Sequence, residues 1–137
     1  MIRLLSALTC CTLSLTAIPA RADDERARGN YLLHCSGCHG ESGDGLEGHV
    51  PSMRGSFARF ARSSQGRVYL LRVPGVTQST LDPDLLAEVM NWALHEFSSP
   101  AAASAVRPFT AAEIAAAKSQ PMLEVVATRA GLLDTLE

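Results

Sequence analysis

Two cysteines three positions apart, with a histidine directly after the second, constrain this chain more than any other feature: Cys35-Ser36-Gly37-Cys38-His39. Residues three apart on a helical turn lie on the same side, so this spacing predicts a turn that presents both sulfurs along one line. The imidazole follows at the next position, and a neutral imidazole is the form that binds a metal near neutral pH. C-x-x-C-H is the attachment pattern of a c-type haem. The two sulfurs reach the two vinyl groups on one edge of the porphyrin, and the histidine faces the iron. Thioether bonds also tie the cofactor to a chain too small to hold it by burial alone.

Three rival readings compete for the same five residues. A thioredoxin-like redox pair belongs in a βαβ unit, and no alternating strand pattern precedes Cys35. A disulfide across two residues closes so short a loop that it stabilises little. A zinc site calls for two more ligands at similar spacing; His34 and His49 are nearby, but no second cysteine pair is.

The N-terminus bears on the compartment. Arg3 precedes an apolar, uncharged run from Leu4 to Ile18, and Ala20-Arg21-Ala22 has the small-x-small form of a cleavage site. Residues 1–22 therefore read as a signal peptide cleaved before Asp23, leaving no transmembrane anchor, since the run falls short of the roughly 20 residues a spanning helix needs. A lipoprotein reading of Cys10 or Cys11 is disfavoured by Thr9, which stands where such signals carry a small residue. Export to the periplasm leaves Cys35 and Cys38 as the only cysteines in an oxidising compartment. The remaining chain has ten basic and fourteen acidic residues, a net −4. That balance argues against a nucleic-acid partner.

Over residues 26–97 the chain resembles the class I monohaem cytochromes c, the bacterial periplasmic type in particular. In that family an aromatic stands four residues before the first cysteine, where Tyr31 lies, and a glycine-rich loop follows the motif, as Gly40 to Gly48 does. A proline then offers its carbonyl to the proximal histidine's Nδ1, twelve residues on in the mitochondrial type; Pro51 is twelve after His39. The resemblance implies an all-α fold of three or four short helices around one covalent haem c, held by Cys35, Cys38, His39 and Pro51, with His39 the iron ligand. It also implies a closing helix whose aromatic packs on the first helix. Asp82-Pro83 marks that helix's start, apolar residues from Leu85 to Phe97 repeat at helical spacing, and Trp92 is expected against Tyr31.

The chain departs from the family at the sixth iron position. The family's methionine stands about 16 residues ahead of the closing aromatic, which falls on Val76, and no methionine lies between Met53 and Met90. Met53 and Met90 read as core, His95 as solvent-facing, His49 as a loop residue and Gln78 as a poor ligand. Met122, after Pro121, is a candidate through a tail folded back over the iron, and equally a residue of a terminal helix. Water or an open position is the alternative.

Residues 98–137 form an extension that short family members lack. Residues 98–110, rich in Ala, Ser and Pro, read as a connector. Thr110-Ala111-Ala112-Glu113 has capping-box form and predicts a helix to about Ser119. A last helix is expected from Pro121 to Ala130, stopped by Gly131, with Phe109, Ile114, Leu123 and Val126 pinning the tail to the core. Between Gly48 and Leu81 stand Arg54, Arg59, Arg62, Arg67 and Arg72 with no acid. These arginines are expected to neutralise haem propionates, to form a docking patch, or to be a solvated face.

The function implied is electron carriage rather than enzymic turnover, with a periplasmic dehydrogenase as donor and an oxidase or another cytochrome as acceptor. Two alternatives stand beside it: a five-coordinate haem that binds CO, NO or peroxide, and a tightly bound haem subunit of a dehydrogenase complex.

Overall fold

The computed structural model describes residues 20–135, and the segment read as a signal peptide lies almost wholly outside them. Helices account for nearly all of the regular structure, so the fold class is all-α as expected. The one β feature among the described residues is an isolated bridge between Leu46 and Val50.

The central pair is α1 (Ala20–His34) and α6 (Pro83–Glu96). Ala27 and Tyr31, one turn apart, are the buried face of α1. On α6 the buried stripe is Leu86, Val89, Met90, Ala93 and Leu94, continued by Phe97 at the C-cap. Each large apolar side chain buried this way contributes about 1.5–3 kcal/mol. Trp92 and Tyr31 meet as expected, with ring centroids 5.1 Å apart, and Phe97 lies 5.3 Å from Tyr31 and 5.6 Å from Trp92. Outside this trio Arg26 of α1 donates to Glu88 of α6 at 2.9 Å. The start of α6 matches its sequence signals in part: Pro83 is in the first turn, but the Asp82 side chain makes no capping bond.

Between these two helices in sequence, α2 (Ser36–His39) continues almost directly from α1, and α3 (Phe57–Arg62), α4 (Ser64–Arg72) and α5 (Pro74–Thr77) follow. Ser63 separates α3 from α4 and caps the latter, accepting from the Gly66 N–H at 2.9 Å. Phe57, Ala58, Ala61 and Leu71 bring α3 and α4 into the main core.

The extension is folded onto that core. Residues 98–110 are not wholly a connector: Ser99 caps a short helix α7 (Pro100–Ser104) that buries Ala103. Helix α8 (Ala111–Lys118) begins with the expected capping box, Thr110 and Glu113 each bonding the other's backbone. Phe109 and Ile114 are buried in the same cluster as Tyr31 and Phe97. The last helix is displaced from expectation: α9 runs Val125–Thr135 and passes through Gly131, whose backbone stays out of the left-handed region. It turns Leu132 inward against Phe60 and Tyr69. Leu123, ahead of α9, and Val126, both expected to pin the tail, are 88% and 84% exposed; Val126 lies off the face of α9 that carries Leu132. No helix among the described residues is long and apolar enough to cross a membrane.

Candidate functional site

Tyr31 sets the height of the C-x-x-C-H turn. Its ring is clamped by Trp92 and Phe97, its carbonyl accepts the Cys35 N–H at 2.8 Å, and its hydroxyl donates to the Gly40 carbonyl at 2.6 Å. One residue therefore holds both ends of the motif. Burial pushes its phenol pKa up to about 12, with Cys35 and Asp44 adding to the shift. Cys35 is the N-cap of α2, and its carbonyl accepts the N–H groups of Cys38 and His39 at 3.2 and 3.0 Å. Ser36 closes the junction by donating its hydroxyl to Leu32 O at 2.8 Å.

The turn is thus a single helical turn, as the spacing requires. Cys35 is half-buried against the core alongside Leu32 and Met53, Cys38 is exposed, and neither thiol is in a disulfide. Burial, and then the neighbouring Cys38, raises the Cys35 thiol pKa. The motif lies between helices, with no βαβ unit among the described residues.

His39 is half-buried, and burial lowers its pKa, favouring the neutral ring. Its Nδ1 is buried with no hydrogen-bond partner. The expected bond from Nδ1 to the Pro51 carbonyl is therefore not made. Pro51 nevertheless belongs to the same loop: Gly45 donates to the His39 carbonyl at 2.8 Å, and a Cβ on Gly45 would stand 2.9 Å from the Pro51 carbonyl. Gly45 has φ +75°, which an L side chain rarely adopts. Gly43, with φ +73°, lies under the Phe97 ring, where a Cβ would be 2.8 Å from the ring carbons. Two glycines thus let the loop from Gly40 to Pro51 fold back close to His39 and α6.

A covalent haem would make two demands on such a turn: two unpaired thiols on one turn and an imidazole in its neutral form. Cys35, Cys38 and His39 fit both. The unpartnered Nδ1 is the ring nitrogen that would not face an iron, and what it lacks is an acceptor from the protein.

The other candidate ligands are dispersed. Met90 is buried in α6, and Met53 is half-buried on the His39 loop, its N–H donating to Gly43 O at 2.9 Å. Met122 lies against the second apolar cluster, formed by Phe60, Tyr69 and Leu132, while Cys35 packs on the first. Its backbone N–H donates to Arg72 O at 2.9 Å. His34, His49 and His95 are exposed, and Gln78 is an exposed C-cap of α5. The segment from Val73 to Ser79 contains no sulfur or imidazole.

The arginine-rich window is not one patch. Arg67 is 7% exposed and donates to both Glu113 oxygens at 2.9 Å and to the carbonyls of Arg107 and Pro108 at 2.8 Å; its guanidinium stands 4.2 Å over the Phe109 ring. It is therefore neither a docking residue nor a solvated one. Arg54 pairs with Asp44 of the site loop at 3.0 Å, and Arg72 donates to Gln120 O. Sequence reasoning missed the Tyr31 hydroxyl bond, the Phe97–Gly43 packing and the Arg67–Glu113 pair, which join residues with no local signal for one another. Comparison with protein-family models, curated proteins and solved structures returned no match to this chain.

Proposed function

We propose that this chain is a periplasmic monohaem c-type cytochrome that carries single electrons between a dehydrogenase and a respiratory acceptor. The observation that carries the reading is the turn itself: Cys35 and Cys38 unpaired on one helical turn, followed by a half-buried His39 whose burial favours the neutral ring. Haem bound there supplies one-electron redox chemistry at its iron. Cys35 and Cys38 would hold it covalently, and His39 would be its iron ligand. Tyr31 fixes the turn at both ends, so the backbone that carries His39 is held by the α1–α6 core. The Pro51 carbonyl, on the same loop, is the acceptor the resemblance implies for the Nδ1 proton, a bond that would hold the ring and strengthen it as a donor. No catalytic residue is needed for this role, and small, weak docking contacts suit it.

The placement of the sulfurs favours a second reading, a five-coordinate haem that takes CO, NO or peroxide. Met90 is in the core, Met122 is in a different apolar cluster from Cys35, and Val73 to Ser79 offers neither sulfur nor imidazole. Absorption spectra of the purified protein, oxidised and reduced, with and without carbon monoxide, test both. A covalently retained chromophore insensitive to carbon monoxide supports the carrier. A shift on adding carbon monoxide moves the assignment to ligand binding, and a protein that never acquires a chromophore sinks both.

A further inference from the structure

Unbalanced charge gathers at the groove between α1 and α6. The groove has a volume of about 450 Å³ and is lined by Asp23, Asp24 and Ala27 of α1 and by Glu88, Trp92 and Glu96 of α6. Arg26 is committed to Asp23 at 2.6 Å and to Glu88 at 2.9 Å, whereas Asp24 and Glu96 are exposed and make no ion pair among the described residues. Cleavage before Asp23 would add an amino terminus here, and the four carboxylates still outnumber it and Arg26. His95 is the one basic side chain lining the groove, and no arginine of the 48–81 window reaches it.

The floor of this groove reaches the C-x-x-C-H turn in two steps. Trp92 is half-buried, and its ring centroid stands 5.1 Å from that of Tyr31, a separation at which aromatic rings are in contact. Tyr31 is bonded to both ends of the turn: its carbonyl accepts the Cys35 N–H at 2.8 Å, and its hydroxyl donates to the Gly40 carbonyl at 2.6 Å. Electron transfer weakens steeply across gaps and less steeply through packed rings and hydrogen-bonded backbone, so these contacts are a continuous route from surface to site. Resting on the haem reading above, we propose that a redox protein with a basic face docks on the α1–α6 groove and exchanges one electron with the haem by way of Trp92 and Tyr31. Opposite charge speeds and orients such an encounter, and a small contact suits a transient one. The centre that gives the electron is oxidised by one and the other is reduced by one; no bond forms or breaks, and the Tyr31 proton stays on its oxygen.

The test uses the haem-loaded protein and two cationic probes, pentalysine for docking and reduced hexaammineruthenium for electron delivery. Trp92 is the one tryptophan of the chain, so its indole N–H signal in nuclear magnetic resonance reports the groove alone. Pentalysine is expected to move that signal and, at the same concentrations, to slow reduction by hexaammineruthenium. D24N with E96Q should weaken both effects severalfold. E41Q with E47Q, which removes the same charge from exposed positions of the site loop, should leave them near wild type. W92L should slow reduction severalfold at an unchanged midpoint potential, with W92F restoring most of the rate. If W92L fails to accumulate, inhibition by pentalysine in wild type and its loss in D24N with E96Q still decide. Equal effects of the two double variants, or a W92L rate equal to wild type, would overturn the proposal, because the electron would then enter at the exposed Cys38 side of the turn. A wild-type protein that holds no chromophore would instead overturn the haem reading.

Discussion

Replacing Gly45 with alanine tests whether the loop from Gly40 to Pro51 is what positions His39. Gly45 and Gly48 have nearly the same backbone, φ +75° and +74°. Their surroundings differ: an added Cβ at Gly48 meets nothing within 4 Å, whereas at Gly45 it would overlap the Val50 carbonyl oxygen and stand 2.9 Å from the Pro51 carbonyl. G48A therefore isolates the left-handed backbone cost, about 1–2 kcal/mol. G45A carries that cost and must also push Val50 away. Val50 and Leu46 exchange two backbone hydrogen bonds of 2.8 Å, each contributing about 0.5–1.5 kcal/mol net, so G45A is expected to cost about 2–5 kcal/mol in all. Urea unfolding followed by helical circular dichroism measures both variants, and the yield of covalently retained chromophore measures the site. G45A should lower that yield well beyond G48A, because it moves Pro51 relative to His39. Equal destabilisation by the two variants, with equal yields, would refute this account of the loop.

Four further outcomes follow from the packing. R67M removes a charge bonded to Glu113 and to two carbonyls; such losses reach about 3–5 kcal/mol for a fully buried pair, and about 2–3 kcal/mol is expected here because Glu113 keeps Arg107 and Thr110 as partners. A midpoint in denaturant unchanged from wild type would contradict it. The Arg67 guanidinium, with Arg107 and Thr110, holds the Glu113 carboxyl well below its ordinary value of 4.5. A carboxyl depressed in the folded state gives stability that is fully present above that value and lost as pH falls below it. E113Q should therefore narrow its stability gap to wild type as pH is taken from neutral to below 4.5, and a gap independent of pH would count against the pairing. Y31F should cost about 1 kcal/mol for the bond to Gly40. In the wild type the Tyr31 phenolate should appear only near pH 12 in an ultraviolet titration; a transition near the ordinary 10.0 would show the phenol to be solvated.

Local signals and long-range ones parted cleanly in this chain. The C-x-x-C-H spacing demanded one helical turn, and α2 is one. The capping box at Thr110 and Glu113 marked the start of α8, and the apolar stripe after Pro83 marked α6, since both are short-range patterns written in neighbouring residues. The Tyr31–Trp92 contact came from family resemblance, and the α1–α6 packing delivers it. Gly131 did not stop α9, because a glycine ends a helix only where the chain takes the left-handed turn, and here burial of Leu132 holds the helix together beyond it.

What tertiary structure alone decided is which distant groups meet. Five arginines in a row of acid-free sequence look alike, yet Arg67 is buried by an acid 46 positions away, and Arg59 keeps a buried N–H without an acceptor. The same holds for His39 Nδ1: sequence named the residue as a ligand, but only the packed loop shows that the ring's second nitrogen is left unsatisfied. Helical period and capping act over a few residues and can be read along the chain. The partner of a buried charge depends on how the helices pack, which no local pattern encodes.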